Sequence, residues 1–420
     1  MTERDSRLRL LHLAPFAPRM DDCHGGSRVM AQLVAGLAAR QEVALLCLRG
    51  EEELPVGDEL RERCRFVEEF VPYGSGHRWP ARLRQRAGIA LSPLRGVPSW
   101  VTHRAMPAFQ ARVREFARTW RPDVVQLEYH VMGQYLSALE DCPAPRVLNQ
   151  YEPGARAASE VWERSAGVAR IRTYLDLLAW QQYERRVVRR VNAIVVFTEQ
   201  DRQAMEFYVA HPPIVTIPFG TVLPLQALSP VGTPPLSVLF VGNFRHPPNV
   251  DAAVRLARGI FPLVRQRYPE AMLYVVGAHP PAALRDAAGP NVVITGYVPD
   301  LNPHLDRAAV VVAPLRHGGG MRVKVLEALA AGKAVVASPL AATGISVSDG
   351  DQLVLAESDQ QFSQQILRLL DAPRERAALA ARARRWARAE LDWKRPVEAY
   401  EALYHDLVTQ REARPAEDSQ

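Results

Sequence analysis

Twice along this chain, short apolar runs rich in valine alternate with stretches of helical periodicity, and the second series starts only after a proline-rich break at Pro224–Pro235. The first series has strand-like runs at Leu8–Phe16, Val43–Leu48, Val124–Leu127 and Ala193–Phe197, with Met30, Leu33, Val34 and Leu37 at helical spacing between the first two. The second has Leu236–Val241, Leu273–Val276, Val292–Thr295, Val310–Ala313 and Ala334–Ala337, with Val250, Val254, Ala257, Phe261 and Val264 on one helical face. Strands that alternate with helices pair in parallel, and helices cover both faces of the sheet, which is why the runs are apolar throughout. The pattern predicts an α/β protein of two Rossmann-like, doubly wound parallel-sheet domains, residues 1–218 and 236–395, joined by a linker at 219–235. A last helix, placed at 396–412, has Trp393, Val397, Tyr400, Tyr404 and Leu407 on one stripe and is expected to cross back to the first domain. The polar tail 413–420 is expected to be disordered.

With 420 residues, 48% apolar and 23% charged, the chain has enough apolar material for two cores, which excludes global disorder and a disulfide scaffold. No uncharged apolar run approaches the roughly 18 residues that span a bilayer. The run from Leu8 is interrupted by Arg9 and has no cleavage-site pattern, so the reading is a soluble protein that keeps its N-terminus. The four cysteines, Cys23, Cys47, Cys64 and Cys142, show neither a C-x-x-C pair nor zinc spacing, which fits a reducing cytoplasm. The net charge of +6 comes almost wholly from arginine, because lysine occurs only at 324, 333 and 394. Between His77 and Arg118, Arg78, Arg82, Arg84, Arg86, Arg95, Arg104, Arg112, Arg114 and Arg118 are interleaved with Trp79, Leu83, Ile89, Leu91 and Trp100. Such a surface can rest on an anionic membrane, peripherally on the inner face, or it can be the charged side of helices over a core. No nucleic-acid-binding module accompanies the charge, so nucleic acid is not an expected partner.

In two open parallel sheets, ligands bind beyond the carboxyl ends of the strands, here in the cleft between the domains, so motifs at strand ends weigh most. The segment from His317 through Gly318, Gly319, Gly320, Met321, Arg322, Val323, Lys324, Val325 and Leu326 to Glu327 follows one strand and opens a helix. Glycines let backbone approach a ligand closely, and the free N–H groups of the first helical turn favour an anion. Arg322 and Lys324 add cations, while Glu327 shares a face with Lys324 and can accept hydrogen bonds from paired hydroxyls. These are the parts for a nucleoside diphosphate; the alternative is a plain glycine turn followed by a surface Lys–Glu pair. Gly25-Gly26-Ser27-Arg28 opens the first helix and is either a second phosphate- or acceptor-facing loop or a turn with Ser27 as cap. Arg245 follows the strand Leu236–Val241 and can join Lys324 or Arg322 in neutralising a leaving nucleotide, or lie solvated at the surface. Glu128 and His130, two apart at the end of Val124–Leu127, are expected on one face on the acceptor side. Asp349-Gly350-Asp351 reads as a turn rather than a metal motif, and Thr198 with Asp201 as a helix cap.

The glycine-rich segment, with Phe240-Val241-Gly242-Asn243-Phe244, Pro248-Asn249-Val250, Val275-Val276-Gly277, Gly296-Tyr297-Val298-Pro299-Asp300 and Leu329-Ala330-Ala331-Gly332-Lys333-Ala334-Val335-Val336, resembles the donor domain of family 4 glycosyltransferases of the GT-B fold. The first half is similar more loosely, through Gly25-Gly26-Ser27, Pro122-Asp123-Val124-Val125, Phe197-Thr198-Glu199-Gln200-Asp201 and Ile217-Pro218-Phe219-Gly220. The resemblance implies retaining transfer of a sugar from a nucleotide-diphosphate donor, without cofactor or bound metal, to a glycan, lipid-linked or small-molecule acceptor. By the same resemblance, Glu327 holds the ribose; Arg322 and Lys324 stabilise the diphosphate; and His130 lies beside the sugar when the cleft closes. The donor set on this basis is Gly25, Gly26, Arg245, Gly318, Gly319, Gly320, Met321, Arg322, Lys324, Val325 and Glu327, with His130, Arg322 and Lys324 catalytic. Many members have a glutamate where this chain has Gly319, which motivates a catalytically silent nucleotide-sugar binding subunit as one alternative; a GT-B nucleotide-sugar epimerase is another.

Overall fold

A computed structural model describes residues 7–21, 25–51, 53–71, 88–89, 91–206, 211–221, 223–224, 228–234, 236–318 and 322–413. The chain divides into two compact units, one of residues 1–20, 30–218 and 396–420, the other of 21–29 and 219–395. In the first unit the strands are β1 (Arg9–Ala14), β2 (Glu42–Leu48), β3 (Phe66–Phe70), β4 (Val124–Glu128), β5 (Arg146–Asn149), β6 (Ala193–Val196) and β7 (Ile214–Thr216). They form one sheet in the order β3-β2-β1-β4-β5-β6-β7, every pair parallel. The second unit has β8 (Ser237–Val241), β9 (Met272–Val276), β10 (Val292–Gly296), β11 (Val310–Ala313), β12 (Val335–Ala337) and β13 (Val354–Leu355), ordered β10-β9-β8-β11-β12-β13 and again parallel.

The central strands β1, β4 and β11 are buried from end to end apart from Arg9, because helices cover both faces, whereas the edge strands β3, β7 and β10 are only half covered. In each sheet the strand order reverses once, between β1 and β4 and between β8 and β11. Chain leaving the carboxyl ends of those strands diverges to opposite sides and opens a crevice.

The helical face anticipated over Val250–Val264 is present as helix Pro247–Arg255, one π-helical turn Leu256–Ile260 and helix Phe261–Arg267. Pro262 has no N–H to donate four residues back, which accounts for the wider turn just before it. The C-terminal helix Lys394–Ala413 belongs to the first unit from Pro396 onward, with Val397, Tyr400, Tyr404 and Leu407 buried. Trp393, which sequence places on the same stripe, precedes the helix and lies against Gly220 in the second unit. Burial pushes the Cys47 and Cys64 thiols up to about 12, so both act as packing groups. Among the described residues no helix is long and apolar enough to cross a membrane.

Much of the basic segment, including Arg78, Arg82, Arg84 and Arg86, lies outside the described residues. Of the rest, Arg104 faces Glu53 at 3.8 Å, Arg112 donates to Glu68 at 2.8 Å and Arg118 to Asp141 at 2.8 Å. Each of these three cations therefore has a carboxylate beside it.

Candidate functional site

The loops after β8 and β11, the two strands at the reversal point of the second sheet, meet. Gly318 has φ +103°, and a Cβ there would stand 2.8 Å from Cγ of Pro248, so only glycine lets the two loops touch. Behind them Gly277, φ +151°, lies so close to the Gly242 carbonyl that a Cβ would be 1.7 Å from its oxygen. Gly319, Gly320 and Met321 lie outside the described residues.

Arg322 precedes the helix Val323–Ala330 and is buried. Its Nη2 donates to the Gly318 carbonyl at 2.6 Å and its Nε to Leu340 O at 3.3 Å, so the guanidinium ties those two carbonyls together. Lys324, in the first turn, places Nζ on Oδ1 of Asn249 and 4.8 Å over the Phe240 ring. Burial, aided by the Arg322 charge, holds its amine down to about 7, against a weaker opposing effect of Glu327. One turn later Glu327 pairs with Arg28 at 2.6 Å through Oε1, while its Oε2 is buried with no hydrogen-bond partner. Burial raises this carboxyl; Arg28 and Lys324 pull the other way. Gly25 stands at the same place, since a Cβ on it would be 3.4 Å from the Val323 side chain.

The structure therefore brings together Gly25, Arg28, Gly318, Arg322, Lys324 and Glu327 within the second unit, with Asn249 as an added member. Sequence had Asn249 only as part of a motif, and nothing in its spacing marked it as the lysine's partner. The Val325 side chain is in the core and its N–H donates to Arg322 O at 2.8 Å, because an eight-residue helix on a sheet turns one residue per turn inward. Arg245 is exposed, with its backbone N–H on Asn243 Oδ1 and its guanidinium directed to no ion-pair partner among the described residues. Lys333 is fully buried and donates to the carbonyls of Ser229 and Asp306, a structural tie.

In the first unit, Glu128 at the end of β4 accepts from Gln126 at 2.7 Å, Asn149 at 3.0 Å and the Tyr151 hydroxyl at 3.0 Å, and lies 3.4 Å from the His12 ring. His130 does not share that network. Tyr129 between them has φ +65°, which breaks the strand's alternation, so the one-face expectation for Glu128 and His130 fails. The His130 ring instead meets Gln150 Oε1 at 3.0 Å through Nδ1 and lies edge-on to Trp180 and Trp100, with centroids 4.6 and 5.5 Å away. Burial holds its pKa down to about 4. Asp349-Gly350-Asp351 is a turn with Gly350 at φ +76°, and Thr198 Oγ1 accepts from Asp201 N at 3.0 Å as a cap.

Comparison with known proteins bears on this arrangement. Residues 24–220 match the model of the glycosyl transferase 4-like domain and residues 235–372 that of glycosyl transferases group 1. A phosphatidyl-myo-inositol mannosyltransferase of Mycolicibacterium smegmatis is 32% identical over 154 residues, 35% of this chain and 39% of that protein. An uncharacterised 44.6 kDa protein of the Klebsiella pneumoniae cps region is 24% identical over 140 residues, 31% of this chain and 36% of its own length. These alignments thus span less than two fifths of each curated relative. Among solved structures, sucrose-phosphate synthase from Thermosynechococcus elongatus superposes with a TM-score of 0.70 at 16% identity, covering 96% of this chain and all of that one. Anabaena HepE in complex with UDP and glucose gives 0.64 at 14% identity, covering 95% of this chain and 100% of its own. At such identities the likeness is one of fold.

Proposed function

Since the chain belongs to the family 4-like glycosyltransferases and has their GT-B fold, we propose that it moves a hexose from a nucleoside-diphosphate donor to a glycan, lipid-linked or small-molecule acceptor with retention of anomeric configuration. The observation that carries the donor assignment is the pair Lys324 and Glu327, one turn apart beyond β8 and β11, where an amine waits on a neutral amide and a carboxyl keeps a buried oxygen unpartnered. A diphosphate over Lys324 and the first turn of Val323–Ala330 gives that amine a counter-charge, and the ribose hydroxyls donate to Glu327 Oε2.

Arg322, whose guanidinium holds the Gly318 carbonyl, adds charge for the leaving group, and Arg245, exposed beyond β8, adds a further cation in this reading. Stabilising the departing diphosphate by fixed cations lowers the barrier where charge develops. The acceptor oxygen bonds to the anomeric carbon on the face from which the diphosphate leaves, the glycosidic C–O bond to phosphate breaks, and the acceptor proton passes to a phosphate oxygen. Support for a nucleotide-sugar donor comes from HepE, solved with UDP and glucose, and for a role in polysaccharide or glycoconjugate synthesis from the cps-region relative. A lipid-linked acceptor is supported by the mannosyltransferase relative's name.

Thermal shift against nucleoside diphosphates and their sugars, followed by product analysis with an acceptor panel, tests the reading, because a ligand that binds only the folded state raises its melting point. Glu327→Ala and Lys324→Ala are expected to lose the shift and the transfer together. Unchanged kinetics in both variants would refute the assignment; donor binding without turnover would mark a silent binding subunit, and a free isomerised sugar an epimerase.

A further inference from the structure

The first unit holds a cavity of about 290 Å³ that the donor assignment leaves unused, lined among others by Trp100, Trp180, Ala157, Val161, His130 and Glu152. That volume lies at the small end of ligand sites, roughly 300 to 1,000 Å³, and suits one ring or a short chain. Its lining is mostly apolar, with Thr173 and Asp176 as further polar members, and one deeply buried polar atom on it has no hydrogen-bond partner, Nε2 of His130.

The tautomer of that ring is fixed from behind. Glu184, buried, accepts from Gly154 N at 2.5 Å, Ala155 N at 3.3 Å and Gln150 Nε2 at 3.1 Å. With its NH2 committed to a carboxyl group, Gln150 turns Oε1 to His130, so Nδ1 must carry the proton and donate, and Nε2 keeps its lone pair. The ring stays neutral at physiological pH because burial holds it near 4. A neutral acceptor atom on a mostly apolar lining recognises a hydroxyl group.

Part of the cavity's lining reaches the surface. Val161 belongs to that lining and is 55% exposed, and on the neighbouring helix Gly167–Val188 the exposed Val168, Ile171, Tyr174 and Leu178 recur at helical spacing. Exposed apolar residues in such a row mark a surface that meets apolar matter.

We propose that this cavity binds an amphiphilic alcohol, its hydroxyl donating to His130 Nε2 and its apolar body lying between Trp100, Trp180 and Val161, with Gln150 and Glu184 as positioning residues for the imidazole. As the acceptor pocket of a transferase it rests on the reading above; as a binding site it does not. The test is calorimetric titration of the full chain with n-octyl β-D-glucoside below its micelle concentration, beside methyl β-D-glucoside, without nucleotide. Saturable binding of the octyl compound alone is expected, abolished in Ala157→Phe, which fills the cavity from a half-buried helical position. Gln150→Leu is expected to weaken it about tenfold, the scale of one hydrogen bond, and to change the His130 nitrogen spectrum from the Nδ1–H tautomer. Equal binding of both glucosides, or full binding by Ala157→Phe, overturns the proposal, as does an unchanged tautomer in Gln150→Leu for the positioning role. Donor turnover with no octyl glucoside binding sinks the pocket alone, whereas binding with no turnover sinks the transferase reading alone.

Discussion

Lys324 is the residue at which charge and burial are most opposed. An amine held near 7 in the folded chain and 10.5 in the unfolded one binds fewer protons folded than unfolded between those values. Stability of the unliganded protein should therefore fall as pH drops from about 10 toward 7, by at most about 1.4 kcal/mol per pH unit from this group. Lys324→Met is expected to remove that slope, leaving the apo variant at least as stable as the parent at pH 7 in urea titrations, while nucleotide binding is lost. For the parent, UDP or GDP binding at pH 8 should take up about one proton, read from calorimetry in two buffers of different ionisation enthalpy, and almost none at pH 6. Absence of buffer dependence at pH 8 would show that the diphosphate does not seat on this amine. Sequence marked Lys324 and Glu327 because their spacing is local and helical. It did not mark Arg28 or Asn249 as their partners, since those contacts join segments distant in the chain and follow no period.

At the scale of elements, what was legible was whatever repeats. Strand β8 was expected at Leu236–Val241 and is Ser237–Val241; β11 falls on Val310–Ala313 as expected, because an apolar run buried on both faces declares itself by composition. What was not legible was the irregular backbone: Tyr129 at φ +65° turns His130 out of the Glu128 network, and no local rule for an aromatic residue announces it. The relay from Glu184 through Gln150 to His130 was equally silent, its members being separated by 34 and 20 residues. Glycines were half legible, noticed as motif letters without their reason. Gly277 supplies a test of that reason. A methyl group there would sit 1.7 Å from the Gly242 carbonyl oxygen, a backbone atom that cannot step aside without moving the loop that carries Asn243 and Asn249. Gly277→Ala is expected to lower stability by roughly 1–3 kcal/mol, the cost of a strained backbone position, and to weaken nucleotide binding. A variant as stable as the parent with normal binding would show that the two loops are not held by this contact.

For the whole molecule, the chain's end matters to the unit with which it began. From Pro396 the last helix lies in the first unit, where the Tyr400 hydroxyl donates to Asn149 at 2.7 Å, Tyr404 donates to Gln126, and Glu401 accepts from Gln41 at 2.8 Å and Arg40 at 2.7 Å. Asn149 and Gln126 are the same side chains that hold Glu128. Removing the helix would leave two buried polar side chains, Gln126 of β4 and Asn149 of β5, short of partners and uncover the apolar face against which Val397 and Leu407 pack. Each unsatisfied buried group costs about 1–3 kcal/mol, and with the uncovered apolar face the total is comparable with the roughly 5–15 kcal/mol that holds a domain folded. A chain ending at Arg395 should therefore lose the first unit while the second, whose core contains none of these residues, stays folded. Calorimetry of the parent should resolve contributions from both units, and the truncated chain should retain only one transition, still raised by the nucleotide that stabilises the parent. Limited proteolysis should spare a fragment near residues 219–395 and digest the rest. Tyr404→Phe, which keeps the helix and removes one hydroxyl, should lower only the transition that nucleotide does not raise. If the truncated chain kept both transitions, the tyrosine contacts would be decoration on a first unit already stable without them.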